Sequence, residues 1–251
     1  MKGITFLKSI EYTLEAIGEK WRQGDRIKGT LKIKNNGSEN VEHFKMRVAL
    51  LEGHYKKLKT NVQNGWTFLS EVNLAESACL ETAAERSYSF EFELPQDCPI
   101  TDKSGSMYLA FYEGLGTLPL GHVELVIEPK LVISQVLEIF ENFLRFKVVQ
   151  IKYVKGKVEV KLNPPSSREF STIDSLVLSL REHDKNLSLN YLFNTQVINM
   201  VSGAMQAQKK TRDLEQKFNA KQYLSYEGSL NQDFILESVN KAINEVKPKF
   251  L

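Results

Sequence analysis

Side chains able to do chemistry are sparse in this chain and poorly spaced for it. The four histidines, His43, His54, His122 and His183, stand far apart. No His-Glu-x-x-His pair brings two imidazoles onto one turn of helix around a zinc ion. Cys79 and Cys98 make neither a Cys-x-x-Cys ligand pair nor a disulfide framework, and they read as reduced thiols of a cytoplasmic protein. The Gly-x-Ser-x-Gly elbow and the phosphate-cradling loops are absent from the sequence; Gly114-Leu-Gly116 lacks a third glycine and a following helix. Glu91 and Glu93 could in principle share acid and base roles, but they alternate with Phe90, Phe92 and Leu94, which puts them on the solvated side of a strand. No catalytic residue, metal site or cofactor is expected.

What the polar residues offer instead is positive charge in two places. Lys45 and Arg47 share the polar side of one strand, with Lys56, Lys57 and Lys59 just beyond it. Lys152, Lys155, Lys157 and Lys161 crowd a hairpin farther along. Faces of this kind suit an acidic or phosphorylated segment of a protein partner, or anionic lipid headgroups. The chain as a whole carries 33 Lys plus Arg against 31 Asp plus Glu, a net charge of +2. That balance argues against a nucleic-acid binder held by phosphate neutralisation. Trp21 and Trp66 could stack on a sugar ring, although aromatic residues in strand-rich chains chiefly fill cores.

The elements that must position these groups read as strands. In Trp21-Arg-Gln-Gly-Asp-Arg-Ile-Lys-Gly-Thr-Leu-Lys-Ile-Lys34 a glycine-acid turn opens a strand whose Ile27, Gly29, Leu31 and Ile33 share one face. Asn35-Asn36-Gly37-Ser38 predicts a chain reversal, with Phe44, Met46, Val48 and Leu50 alternating on the returning strand of a hairpin. Tyr88, Phe90, Phe92 and Leu94 form a third alternating set that Pro95 ends; Met107–Tyr112 and His122–Ile127 follow it. After Pro129 the period changes. Val132, Val136, Ile139, Phe140 and Phe143 recur at three and four, predicting one short helix. Alternation then returns through 148–162, 173–180 and 187–193, and residues 195–224 are expected to hold a long strand despite good helix formers at 206–217. Ile235, Val239, Ala242, Ile243 and Val246 predict an amphipathic terminal helix with Asn231 as its N-cap.

The 251 residues suffice for two cores. No apolar run approaches the roughly 20 residues that span a bilayer, and no signal peptide is expected from Met-Lys-Gly-Ile-Thr-Phe-Leu-Lys-Ser.

Several of these stretches together resemble the arrestin-like clan, and within it the bacterial sporulation-control family. The turn and strand Gly24-Asp25-Arg26-Ile27-Lys28-Gly29, the edge Leu94-Pro95 followed by Pro99-Ile100-Thr101, the helix Val136–Phe140 leading to Phe143-Leu-Arg-Phe146, and the stretch Glu169–Leu180 carry the likeness. The resemblance implies an all-β fold: two tandem arrestin-like β-sandwich domains, 1–129 and 130–251, joined by a short interdomain helix and closed by a C-terminal amphipathic helix. The functional expectation is a non-enzymatic cytoplasmic scaffold or regulatory adaptor. It would bind protein partners through strand edges and the basic faces. The alternatives are a peripheral membrane trafficking adaptor, similar to the arrestin-like subunit of retromer, and a carbohydrate-binding sandwich.

Overall fold

The computed structural model describes residues 1–59, 65–114, 116–201 and 204–247, with backbone only at 43, 44, 76–78, 197–201 and 204–207. The side chains of His43 and Phe44, together with Asn64 and Leu115, lie outside the described residues. The chain divides into two compact units, Met1–Glu128 and Pro129–Leu251.

In the first unit β1 (Lys2–Leu7), β2 (Ile10–Ala16), β4 (Arg26–Asn35) and β7 (Glu85–Glu93) form one sheet, in the order β1-β2-β4-β7. A second sheet runs β6-β5-β8-β9, from β5 (Val41–His54), β6 (Trp66–Leu80), β8 (Gly105–Glu113) and β9 (Gly121–Leu125). All pairings within both sheets are antiparallel. The two-residue strands β3 (Trp21–Arg22) and β10 (Ile127–Glu128) pair in parallel. The predicted alternation is realised: Leu14, Ile27, Leu31, Ile33, Phe90 and Phe92 from one sheet meet Val48, Leu50, Leu109 and Phe111 from the other in a single core. Tyr12 stacks on Phe111 at 5.2 Å between ring centroids.

Gly29 is the position that fixes how closely β4 can lie against its neighbours. A Cβ there would come within 2.4 Å of both the Glu15 carbonyl oxygen and the Phe90 ring, so the ring occupies the space a side chain would need. The turn ahead of β4 depends on Gly24 at φ +88°, closed by Asp25, whose carboxylate accepts from the Arg22 N–H at 2.7 Å.

The reversal at Asn35–Ser38 is not a hairpin. β4 is already flanked by β2 and β7, and β5 belongs to the opposite sheet, so the chain crosses the sandwich here. The fully buried Asn35 side chain builds the corner: its amide donates to the carbonyls of Glu39 and Leu80, and its oxygen accepts from the Gly37 N–H at 2.9 Å. β8 also departs from alternation, being buried from Gly105 to Tyr112, because its outer face carries a second small cluster. There Ala49, Leu51, Tyr108, Ala110 and Tyr112 pack with Tyr55, Leu58 and Trp66, the first two from α1 (Tyr55–Lys59).

The second unit opens with α2 (Leu131–Glu138), which widens into a π-helical turn at Ile139–Phe143. That widening corrects the predicted stripe. Ile133, Val136, Leu137, Ile139 and Phe140 are buried, while Phe143 is turned out and 55% exposed. One antiparallel meander follows: β11 (Lys147–Val154), β12 (Lys157–Asn163), β13 (Ile173–His183), β14 (Asn186–Val201) and β15 (Ala204–Asn219). The long strand expected within 195–224 is β15, followed by α3 (Ala220–Tyr223). Leu162, Val160, Leu178, Leu180, Leu189 and Tyr191 line the buried face of this sheet.

Where a second sandwich would place another sheet, the layer found among the described residues is helical. α4 (Gln232–Val246) buries Ile235, Val239, Ala242 and Ile243, its Phe234 ring meets Phe218 of β15 edge-on at 5.2 Å, and its Ser238 carbonyl accepts from Gln216 at 2.9 Å. The Asn231 side chain caps it by accepting from the Phe234 N–H.

Candidate functional site

Lys45 and Arg47 stand at one end of β5, where its pairing with β6 is irregular, with register shifts on both sides of Met46. The irregularity opens a groove of about 350 Å³ lined by Lys45, Met46, Arg47, Glu71, Asn73, Ala75 and Gly114. Arg47 is held from three directions. One guanidinium nitrogen donates to Glu71 at 2.5 Å, the other donates to the Gly116 carbonyl at 2.7 Å, and the plane lies 4.7 Å from the centre of the Tyr112 ring. Its Nε is buried and makes no hydrogen bond among the described residues. Burial raises the Tyr112 phenol above its ordinary pKa, and Arg47 partly offsets that. Lys45 is exposed at the groove. The two cations thus differ: Arg47 is an internally paired anchor, and Lys45 is the group open to solvent. Sequence reading missed Glu71, which lies 24 residues away and meets Arg47 only because β5 and β6 pair.

Lys56, Lys57 and Lys59 are exposed on α1, at the far end of β5. Seven residues of strand, about 24 Å, separate Arg47 from His54 just before that helix, so these lysines and the groove are two patches and not one face. In the second unit Lys152, Lys157 and Lys161 fall on the solvent face of the β11–β12 hairpin, opposite the side that buries Val158, Val160 and Leu162. Lys155 sits in its tight turn with φ +50°. The hairpin does gather these four, but Glu159 lies directly across from Lys152 and dilutes the charge.

A polar-aromatic cluster that the sequence did not single out adjoins α1. Tyr55 donates to Glu124, and Trp66, Tyr108 and His122 meet edge-on with centroids 5.0 to 5.7 Å apart. Burial first, then Glu124, pushes the Tyr55 phenol up to about 12. Burial of its inner side pushes His122 below the usual histidine value, with Glu124 opposing. Trp66 therefore serves packing here, and Trp21 is only 5% exposed, so it presents no ring face to a sugar. Period-based reading could not find the cluster, because its members come from α1, β6, β8 and β9. The two cysteines form no disulfide, Cys79 being exposed and Cys98 buried.

The chain is a tandem pair of β-rich units, the first a sandwich with a corner at Asn35 and a closing parallel pair β3–β10, and its fold is similar to that of a solved bacterial protein over nearly its whole length. The solved structure of Spo0M, sporulation control protein, from Bacillus subtilis matches with a TM-score of 0.63 at 14% identity, over 95% of this chain and 99% of that one. At that identity the likeness is one of fold. An alkylpurine DNA glycosylase from Pseudomonas fluorescens, bound to DNA with an abasic-site analogue, matches at a TM-score of 0.32 and 13% identity, over 48% of this chain and 30% of that one. A β-glucosidase from Listeria innocua matches at 0.29 and 12%, over 47% and 16%. These two overlaps are too loose to bear on function. No protein-family model matches the chain, and no curated protein matches it in sequence. No helix among the described residues is long and apolar enough to cross a membrane.

Proposed function

We propose that this chain is a non-enzymatic regulatory adaptor that accepts an extended acidic or phosphorylated segment of a protein partner along β6, with Lys45 and Arg47 as the first anionic contact. The observation that carries the reading is the groove beside Arg47. There an edge strand leaves a break in its ladder, an exposed lysine stands at the groove, and a guanidinium is already committed to a carboxylate. An incoming phosphate or carboxylate would take over the position of Glu71, exchanging one charge-assisted pair for another, while main-chain groups of the β6 edge hold the segment. The fold it shares with Spo0M, a sporulation control protein, supports a regulatory role. Lys56, Lys57 and Lys59, and the hairpin lysines Lys152, Lys155, Lys157 and Lys161, would add long-range attraction for the same class of partner.

The test is fluorescence anisotropy with a phosphoserine-containing, Glu-rich peptide and its neutral counterpart, titrated at two salt concentrations. Preferential binding of the charged peptide, weakened about tenfold or more by Lys45→Glu, supports the reading. Equal binding of both peptides, or binding indifferent to Lys45→Glu, overturns it.

A further inference from the structure

The edge of the first sheet formed by β1 is less guarded than the other sheet edges, its single charged residue being Lys2 at its start. β6 is broken by register shifts, β11 carries a bulge, β9 is five residues long, and β7 and β15 bristle with charge. β1 pairs with β2 in unbroken register from Lys2 to Leu7 and contains no proline. On its outer face Ile4 is 50% and Phe6 66% exposed. No strand among the described residues is hydrogen-bonded to its open side, although β9 packs beneath it at Gly3 and Thr5.

Which backbone groups are open follows from the pairing with β2. Met1 and Ala16 exchange both hydrogen bonds, at 2.7 and 2.8 Å. By antiparallel alternation Gly3, Thr5 and Leu7 then turn their N–H and C=O toward β2, and Lys2, Ile4 and Phe6 turn theirs outward. Two of the three residues with outward backbone groups, Ile4 and Phe6, also expose apolar side chains.

We infer that β1 pairs antiparallel with β1 of a second copy of this chain, in the register that sets Ile4 opposite Ile4 and Lys2 opposite Phe6. This is the two-fold arrangement that satisfies the outward N–H and C=O of all three residues at once. The side chains agree with it. Ile4 meets its own copy, and the Lys2 stem lies against Phe6 of the second copy with its ammonium over the ring. Beyond that ring the lysine points toward Glu11 of the second copy, because Glu11 is the β2 partner of Phe6. No like charges face each other. The proposal is independent of the groove at Arg47, which lies in the other sheet. One short strand pair buries less than a standard protein interface, so the dimer is weak and reversible.

Sedimentation equilibrium of the purified full chain, from micromolar to millimolar concentration, should show a monomer–dimer equilibrium. Ile4→Lys should weaken it at least tenfold while the thermal melt stays that of the parent, since the side chain replaced is exposed. The register is read separately in a Cys79→Ser background. Ile4→Cys places two sulfurs across strands whose Cα atoms lie about 5.5 Å apart, so it should oxidise to a covalent dimer, and Phe6→Cys should not. A chain that stays monomeric at every concentration overturns the proposal. So does a dimer that Ile4→Lys leaves intact, or one that Phe6→Cys cross-links as readily as Ile4→Cys.

Discussion

Tyr55 and His122 both interact with Glu124 and respond to pH in opposite directions. The phenol is held at about 12, above its unfolded value near 10, so its contribution is fully present below about pH 10 and is lost as the pH rises toward 12. For His122 the folded value is depressed. The unfolded chain takes up the proton first as pH falls below about 6.5, and stability drops there. Thermal melts between about pH 7.5 and about pH 5 should therefore show a falling melting temperature, and His122→Gln should flatten that slope. Tyr55→Phe should cost about 1–2 kcal/mol in urea denaturation at neutral pH, because the half-buried Glu124 loses the hydrogen bond that the Tyr55 hydroxyl donates. None of this was legible in the sequence. Tyr55, Trp66, Tyr108, His122 and Glu124 are spread over seventy positions, and only sheet order brings them together.

At the scale of elements, period carried most of the information. The alternation of Ile27, Leu31 and Ile33, and of Phe90 and Phe92, identified the buried faces of β4 and β7 because one side of each strand meets water. The same rule failed on β8, which is covered on both sides, and along Ile139–Phe143, where a π turn shifts the helical stripe by one residue. Turn chemistry misled at Asn35, because residues that reverse a chain do not say which sheet receives it. Lys45 and Arg47 were found from strand period, whereas Glu71, which neutralises Arg47, required the β5–β6 pairing. Three substitutions test the elements directly. Gly29→Val should lose at least about 2 kcal/mol in denaturant titration by forcing β2 and the Phe90 ring away from β4. Asn231→Ala should cost about 1 kcal/mol through the cap of α4, and Ile243→Ala about 2–5 kcal/mol through its buried face, so a hydrogen-exchange experiment should show α4 opening before β13 in either variant.

For the whole molecule the decisive question is whether each unit is a folding unit. The first is closed by its own last residues: the Trp21 N–H donates to the Val126 carbonyl at 3.0 Å, Thr101 bonds Ile127 through both its N–H and its hydroxyl oxygen, and Lys20 pairs with Glu128 at 2.8 Å. A sandwich core that includes Leu125 and Ile127 should therefore stand without anything that follows Glu128. The fragment 1–128 is expected to unfold in one cooperative transition with native-like near-ultraviolet dichroism. The fragment 1–124 removes Leu125, Ile127 and the acceptor of Trp21, and its melting temperature should fall by several degrees or its transition broaden. Equal stability of the two fragments would mean that the β3–β10 pair does not close the sandwich. A fragment 1–128 without a cooperative transition would mean that the first core depends on the second unit, and the two would then have to be treated as one domain.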